Sequence, residues 1–113
     1  MLSLNIHQRY FIYRGQADMR KGFNGLSGIV RNHLQKDPLS GDVFVFINKR
    51  KNQIKLLCWE GDGFMMFYKR LEKGTFEIPK GDDPTLNVET LSCLLQGIKL
   101  NSIRKRKRYI HAA

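Results

Sequence analysis

Ten acidic residues are spread through the 113 positions of this chain, and any metal or acid–base chemistry would have to be built from them. A metal-dependent nuclease needs two or three carboxylates converging on one point. Asp18, Asp42 and Glu60 come from three different segments. Asp62 stands in Gly61-Asp62-Gly63, a tight turn, and Asp82-Asp83 in a solvated loop before Pro84. His7, His33 and His111 are far apart, without metal-ligand spacing, and none is placed as a base beside Ser or Cys. Cys58 and Cys93 lie in apolar stretches and read as small buried hydrophobes. No catalytic residue, metal site or cofactor is expected.

The basic residues offer a different chemistry, contact with phosphate. Arg104-Lys105-Arg106-Lys107-Arg108 is a run of five cations in a chain of formal net charge +10. Without that run, residues 1–103 still carry fifteen basic groups against ten acidic ones. Such a balance attracts polyanions at long range, nucleic acid above all. Within the body, Arg20 and Lys21 precede a helix whose free N–H groups favour an anion. The same segment also reads as a plain helix start, with Asp18 as the cap and Arg20 solvated. Gly22, Gly25 and Gly28 do not match a phosphate-loop or dinucleotide pattern.

Lys49-Arg50-Lys51 forms a basic hairpin tip, a shape that can enter a DNA groove or ride on phosphates. Asn48 and Asn52 flank it and offer polar base contacts. Basic tips also serve solubility alone. Tyr10, Tyr13, Trp59, Phe67 and Tyr68 lie on strands beside Arg9, Arg14, Lys55, Lys69 and Arg70, and an exposed sheet face of this kind could stack single-stranded bases. Aromatics on strands are more often core, so only Tyr13 and Tyr68 are expected to be partly exposed. The expected nucleic-acid contacts are Arg20, Lys21, Lys49, Arg50, Lys51, Lys69, Arg70 and Arg104, Lys105, Arg106, Lys107, Arg108.

The elements that must position these residues follow from pattern. Hydrophobic content of 42% with twelve aromatics supports a packed core. No apolar run reaches a membrane span and the N-terminus lacks signal-peptide features, so the cytoplasm is the default expectation and no membrane partner is expected. Residues 9–13 predict a strand. Phe23, Leu26, Ile29, Val30 and Leu34 form a helical stripe over 23–34, ended by Asp37-Pro38. Gly25 and Gly28 beside that stripe predict close approach of a backbone. A meander follows over 42–48, 53–60, 64–70 and 75–78, the first of these central and covered on both faces. A second helix over 86–98 has Asn87 as its N-cap and Gly97 as its stop. The expectation is one α+β domain over 1–103, with a mostly antiparallel sheet of about five strands, one or two packed helices, and a flexible basic tail over 104–113.

Several of these stretches carry a family resemblance. Arg9-Tyr10-Phe11-Ile12-Tyr13-Arg14-Gly15, Asp18-Met19-Arg20-Lys21-Gly22-Phe23-Asn24-Gly25-Leu26-Ser27-Gly28, Asp37-Pro38-Leu39-Ser40-Gly41-Asp42-Val43-Phe44-Val45-Phe46-Ile47-Asn48 and Tyr68-Lys69-Arg70-Leu71-Glu72-Lys73-Gly74-Thr75-Phe76 occur in uninterrupted order. Together they closely resemble the small accessory (TnpB, Orf2-like) protein of the sixty-six family of bacterial insertion sequences. The resemblance implies a part in transposition beside a separate, larger transposase that holds the catalytic carboxylates. Cys58 departs from the His that many relatives carry there. The first functional reading is thus a non-catalytic accessory protein that binds DNA and assists the transposase. The second is an adaptor that docks on the transposase without touching DNA, and RNA is a third candidate partner.

Overall fold

The computed structural model describes residues 4–96. Seven elements follow in order: β1 (Tyr10–Ile12), α1 (Phe23–Asn32), β2 (Val43–Ile47), β3 (Gln53–Trp59), β4 (Phe64–Arg70), β5 (Thr85–Leu86) and α2 (Val88–Leu95). The five strands make one sheet in the order β4-β3-β2-β1-β5. All pairs are antiparallel except β1 with β2, which is parallel because α1 supplies the crossover between them.

Every residue of β2 is buried. Its alternation decides which layer each side chain enters. Phe44 and Phe46 join Phe11, Leu57 and the Leu26, Ile29 and Val30 face of α1. Val43, Val45 and Ile47 join Tyr10, Ile12, Ile54, Leu56, Phe76, and Leu91 and Leu94 of α2. The sheet is therefore covered by a helix on each face, and the continuous apolar run of β2 is what a doubly covered central strand requires. Truncating Phe44 to Ala would cost about 3–5 kcal/mol on this burial.

Four local expectations are corrected. Residues 75–78 are not a strand. The Phe76 amide bonds the Lys51 carbonyl, and the Phe76 ring is buried in the α2-side core rather than on a sheet edge. The fifth strand is Thr85–Leu86, paired with β1. Its start is shaped by Asp83, whose carboxylate accepts the Thr85 amide at 2.9 Å. Gly25 and Gly28 face no neighbouring backbone: a Cβ at Gly28 would meet nothing within 4 Å, and one at Gly25 only the Lys21 side chain. Both line an open cleft of about 360 Å³ with Tyr13, Asp18 and His33. Phe23, counted in the buried stripe, is 46% exposed.

The two helices start differently. Asn87 caps α2, its side-chain oxygen accepting the Thr90 amide at 2.7 Å. Gly22 is the N-cap of α1 and contributes no side-chain bond, so Asp18 is not the cap. α2 closes at Gln96. Gly97 and the basic run 104–108 lie outside the described residues.

Candidate nucleic-acid interface

The hairpin joining β2 to β3 is built by asparagines, and that construction decides what its tip can present. The Asn48 side-chain oxygen accepts the amides of Asn52 and Gln53, both at 3.0 Å. The Asn48 amide group donates to the Asn52 side-chain oxygen at 2.8 Å. The Asn48 oxygen, one Asn48 N–H and the Asn52 oxygen are engaged in the turn, while the Asn52 side-chain N–H groups have no partner among the described residues and are the donors left for a base contact. The tip is also tied to the segment after β4, through the Leu71 amide on the Asn52 carbonyl at 2.7 Å and the Phe76 amide on the Lys51 carbonyl at 2.6 Å. Lys51 takes a left-handed conformation, φ 59°. Lys49, Arg50 and Lys51 are exposed on this braced turn, and none forms an ion pair among the described residues.

Arg70 stands at the same end of the sheet, opposite Gln53 in the β3–β4 ladder. Its guanidinium meets Glu72 at 3.1 Å, an exposed pair. Lys69, its neighbour, points to the other face and donates to the Leu95 carbonyl at 3.1 Å. That bond places a cation at the end of α2, where the helix dipole is negative. Lys69 is thereby set apart from the tip.

Arg20 and Lys21 ride on a strap, residues 17–22, that crosses from the tip end of β2 to α1. The Ala17 amide bonds the Ile47 carbonyl at 3.0 Å. Farther along, the ammonium of Lys55 donates to the carbonyls of Met19 and Lys21 at 2.8 and 2.9 Å. Lys55 is buried, only 7% exposed, and lies 4.7 Å from the Tyr68 ring centre. It is a structural cation, which its place in an alternating strand does not reveal. Arg20 binds Asp18 through both carboxylate oxygens, at 2.7 to 3.1 Å, and its amide bonds the same group at 2.9 Å. Those bonds hold the Asp18 carboxyl down at about 2. Arg20 is thus partly neutralised, while Lys21 has no ion pair among the described residues.

The aromatic expectation divides. Tyr68 is 52% exposed and Tyr13 half-buried, as expected. Tyr10 is in the core. A surface group of three rings was not foreseen: Phe23 stacks on Phe64 with centroids 6.3 Å apart, and Trp59 meets Phe64 edge-on at 5.0 Å. The helical stripe had assigned Phe23 to the core, so no signal in spacing pointed to it.

The acids do not converge. Asp42 is buried, bound by Arg9 at 2.8 and 2.9 Å and by the Ser40 hydroxyl at 2.9 Å. Asp18 serves Arg20. Among the described residues no three His, Cys, Asp or Glu side chains are grouped to hold a metal ion. Burial pushes the Cys58 thiol pKa up, which keeps it protonated and unreactive. Among the described residues no helix is long and apolar enough to cross a membrane.

A five-stranded sheet clad by two helices, with cations displayed on a braced hairpin and a pinned strap, defines a small basic α+β protein. The family model described as IS66 Orf2-like protein matches residues 8–105, and the chain belongs to that family. It is accordingly a transposition-associated accessory protein of the insertion-sequence type. Two relatives come from Sinorhizobium fredii (strain NBRC 101917 / NGR234). The uncharacterized protein y4jC is 33% identical over 100 residues, covering 87% of this chain and 86% of the relative. The uncharacterized protein y4hO is 35% identical over 100 residues, covering 87% of each. No solved structure matches the chain.

Proposed function

We propose that this protein is a non-catalytic accessory factor of transposition that binds DNA through phosphates and assists a separate transposase, acting in the cytoplasm. The observation that carries the reading is the tip: three adjacent cations, Lys49, Arg50 and Lys51, exposed without ion pairs among the described residues on a turn braced by Asn48. A rigid cationic turn loses little side-chain and backbone freedom beyond what folding has already removed, so phosphate contact there is favoured. Arg70 beside the tip, Lys21 on the strap and the run Arg104–Arg108 extend the same chemistry, with counterion release as its driving force.

The ring group of Phe23, which is 46% exposed, with the partly buried Phe64 and Trp59 beside it favours a second reading, an adaptor that docks on the transposase. The two readings separate in one experiment. Purified full-length protein is titrated onto labelled duplex, single strand and RNA at modest salt, with and without transposase. The accessory DNA binder shifts duplex alone. A shift that needs the transposase moves the adaptor ahead. In the same mixtures with Mg²⁺ or Mn²⁺, the protein alone is expected to leave strands intact. Nicking abolished by Asp18→Ala, Asp42→Ala or Glu60→Ala would overturn the non-catalytic reading.

A further inference from the structure

β4 closes one side of the sheet with seven residues, whereas the other side ends in the two residues of β5. Its register against β3 is continuous, and it holds no proline or glycine. An edge of this length is normally blunted by a bulge, a proline, charged side chains or a covering element, and on β4 the charges, Lys69 and Arg70, are confined to its last two residues. Met65 and Tyr68 on it are 37% and 52% exposed.

The ladder shows which backbone groups look outward. The Glu60 amide bonds the Gly63 carbonyl at 2.9 Å, and the Leu71 amide bonds the Asn52 carbonyl at 2.7 Å. Hydrogen-bonded pairs alternate in an antiparallel ladder, so the odd-numbered residues between them face β3. Phe64, Met66, Tyr68 and Arg70 therefore turn their N–H and C=O groups away from the sheet.

The strand is also polar along its length. Glu60 and Asp62 stand at its turn end; Lys69, Arg70 and Lys73 stand at the other, together with Glu72, which pairs with Arg70, so that end is net positive. A parallel neighbour of the same sequence would set cation on cation. An antiparallel one sets the net-positive end, where Lys69, Arg70 and Lys73 outnumber Glu72, against the acidic turn of Glu60 and Asp62, although Asp62 and Glu72 then face each other. The same strand, reversed, is thus its own electrostatic complement.

We propose that β4 is the contact of a two-fold symmetric dimer, in which a second copy of this chain adds its β4 antiparallel with Phe67 on the axis. In that register Phe64 lies opposite Arg70 of the second copy and Met66 opposite Tyr68. Both pairs and their symmetry mates are of the hydrogen-bonded kind, so every outward group of the four residues finds a partner. Met65 lies opposite Lys69 and supports its methylene stem. The Phe67 pair is of the close, non-hydrogen-bonded kind, and the two sheets become one of ten strands. The contact is independent of the DNA-binding reading.

The test uses the full chain. Light scattering should give about twice the 13.2 kDa of one chain, and the Met66 and Tyr68 amides should exchange about tenfold more slowly at high protein concentration than at low. In a Cys58→Ala, Cys93→Ser background, Phe67→Cys should cross-link two chains on oxidation, because its Cα atoms would lie about 4.5 Å apart. Phe64→Cys should not, being about 20 Å from its counterpart. A single-chain mass at high concentration overturns the proposal. So does protection of both amides in a monomer, which would mean that residues 97–113 or another segment covers the edge. A dimer that cross-links in the Phe64→Cys variant and not in the Phe67→Cys variant overturns the register. Should Phe67→Cys fail to fold, the mass and exchange of the unaltered chain decide.

Discussion

The ammonium of Lys55 lies 2.9 Å from the backbone carbonyl of Lys21, so one basic residue of the chain is spent holding another in place. Lys55 comes from β3 and is buried; Lys21 is exposed on the strap above it. Net charge alone counts the two as equal, but only one is available to a polyanion.

Replacing Lys55 by Met keeps the length of the side chain and removes its donor. The carbonyls of Met19 and Lys21 then lose that partner. Lys55→Met is expected to lower stability by about 1–3 kcal/mol, read from urea unfolding. An unfolding midpoint equal to the parent's would show that the strap is held by other contacts.

Lys51 occupies a left-handed conformation, which costs a β-branched residue most and glycine least. Lys51→Val should therefore lower the thermal midpoint, with a loss of about 1–2 kcal/mol. Lys51→Gly should leave it unchanged or raise it. Equal effects of the two would contradict the turn geometry.

The folded-state pKa of Asp18 is depressed from 3.8 to about 2, first by the side-chain bond from Arg20 and next by the Arg20 amide. A depressed carboxylate favours the fold above its unfolded pKa and loses that contribution as pH falls. The window here runs from 3.8 down to about 2. An NMR titration of the Asp18 carboxyl carbon should find its midpoint near the lower value in the parent. Arg20→Gln should move it upward while the backbone bond retains part of the shift. A midpoint insensitive to Arg20→Gln would rule out the pair as the main cause.

Asn48→Ala removes the acceptor of two amides and one donated bond from the tip. A loss of about 1–3 kcal/mol is expected in chemical denaturation. Duplex affinity should also fall, because Lys49, Arg50 and Lys51 would no longer be held together. Unchanged affinity in a folded Asn48→Ala protein would mean that a braced tip is not required.

The strands and helices that bury an apolar face were legible from pattern, because burial is what alternation and the helical stripe encode. β2, β3, β4 and the Asn87 cap are the clear cases. Phe76 and Ile78 misled, since their alternation reads as a strand although their side chains pack under the sheet. The two-residue β5 carries too little pattern to be seen. At the candidate interface, the tip cations were evident from spacing. The inward roles of Lys55 and Lys69 were not, because each depends on a carbonyl brought from more than twenty residues away.

The central claim is that the tip meets phosphate, and the salt dependence of duplex binding tests it most directly. Each phosphate contact contributes about 0.9 to the slope of log K against log salt. A variant with Lys49, Arg50 and Lys51 all changed to Gln should bind more weakly, with the slope flattened by about 2 to 3. Its unfolding midpoint should stay close to the parent's, since exposed tip charges contribute little to folding. A folded triple variant with the parent's affinity and slope would contradict the account.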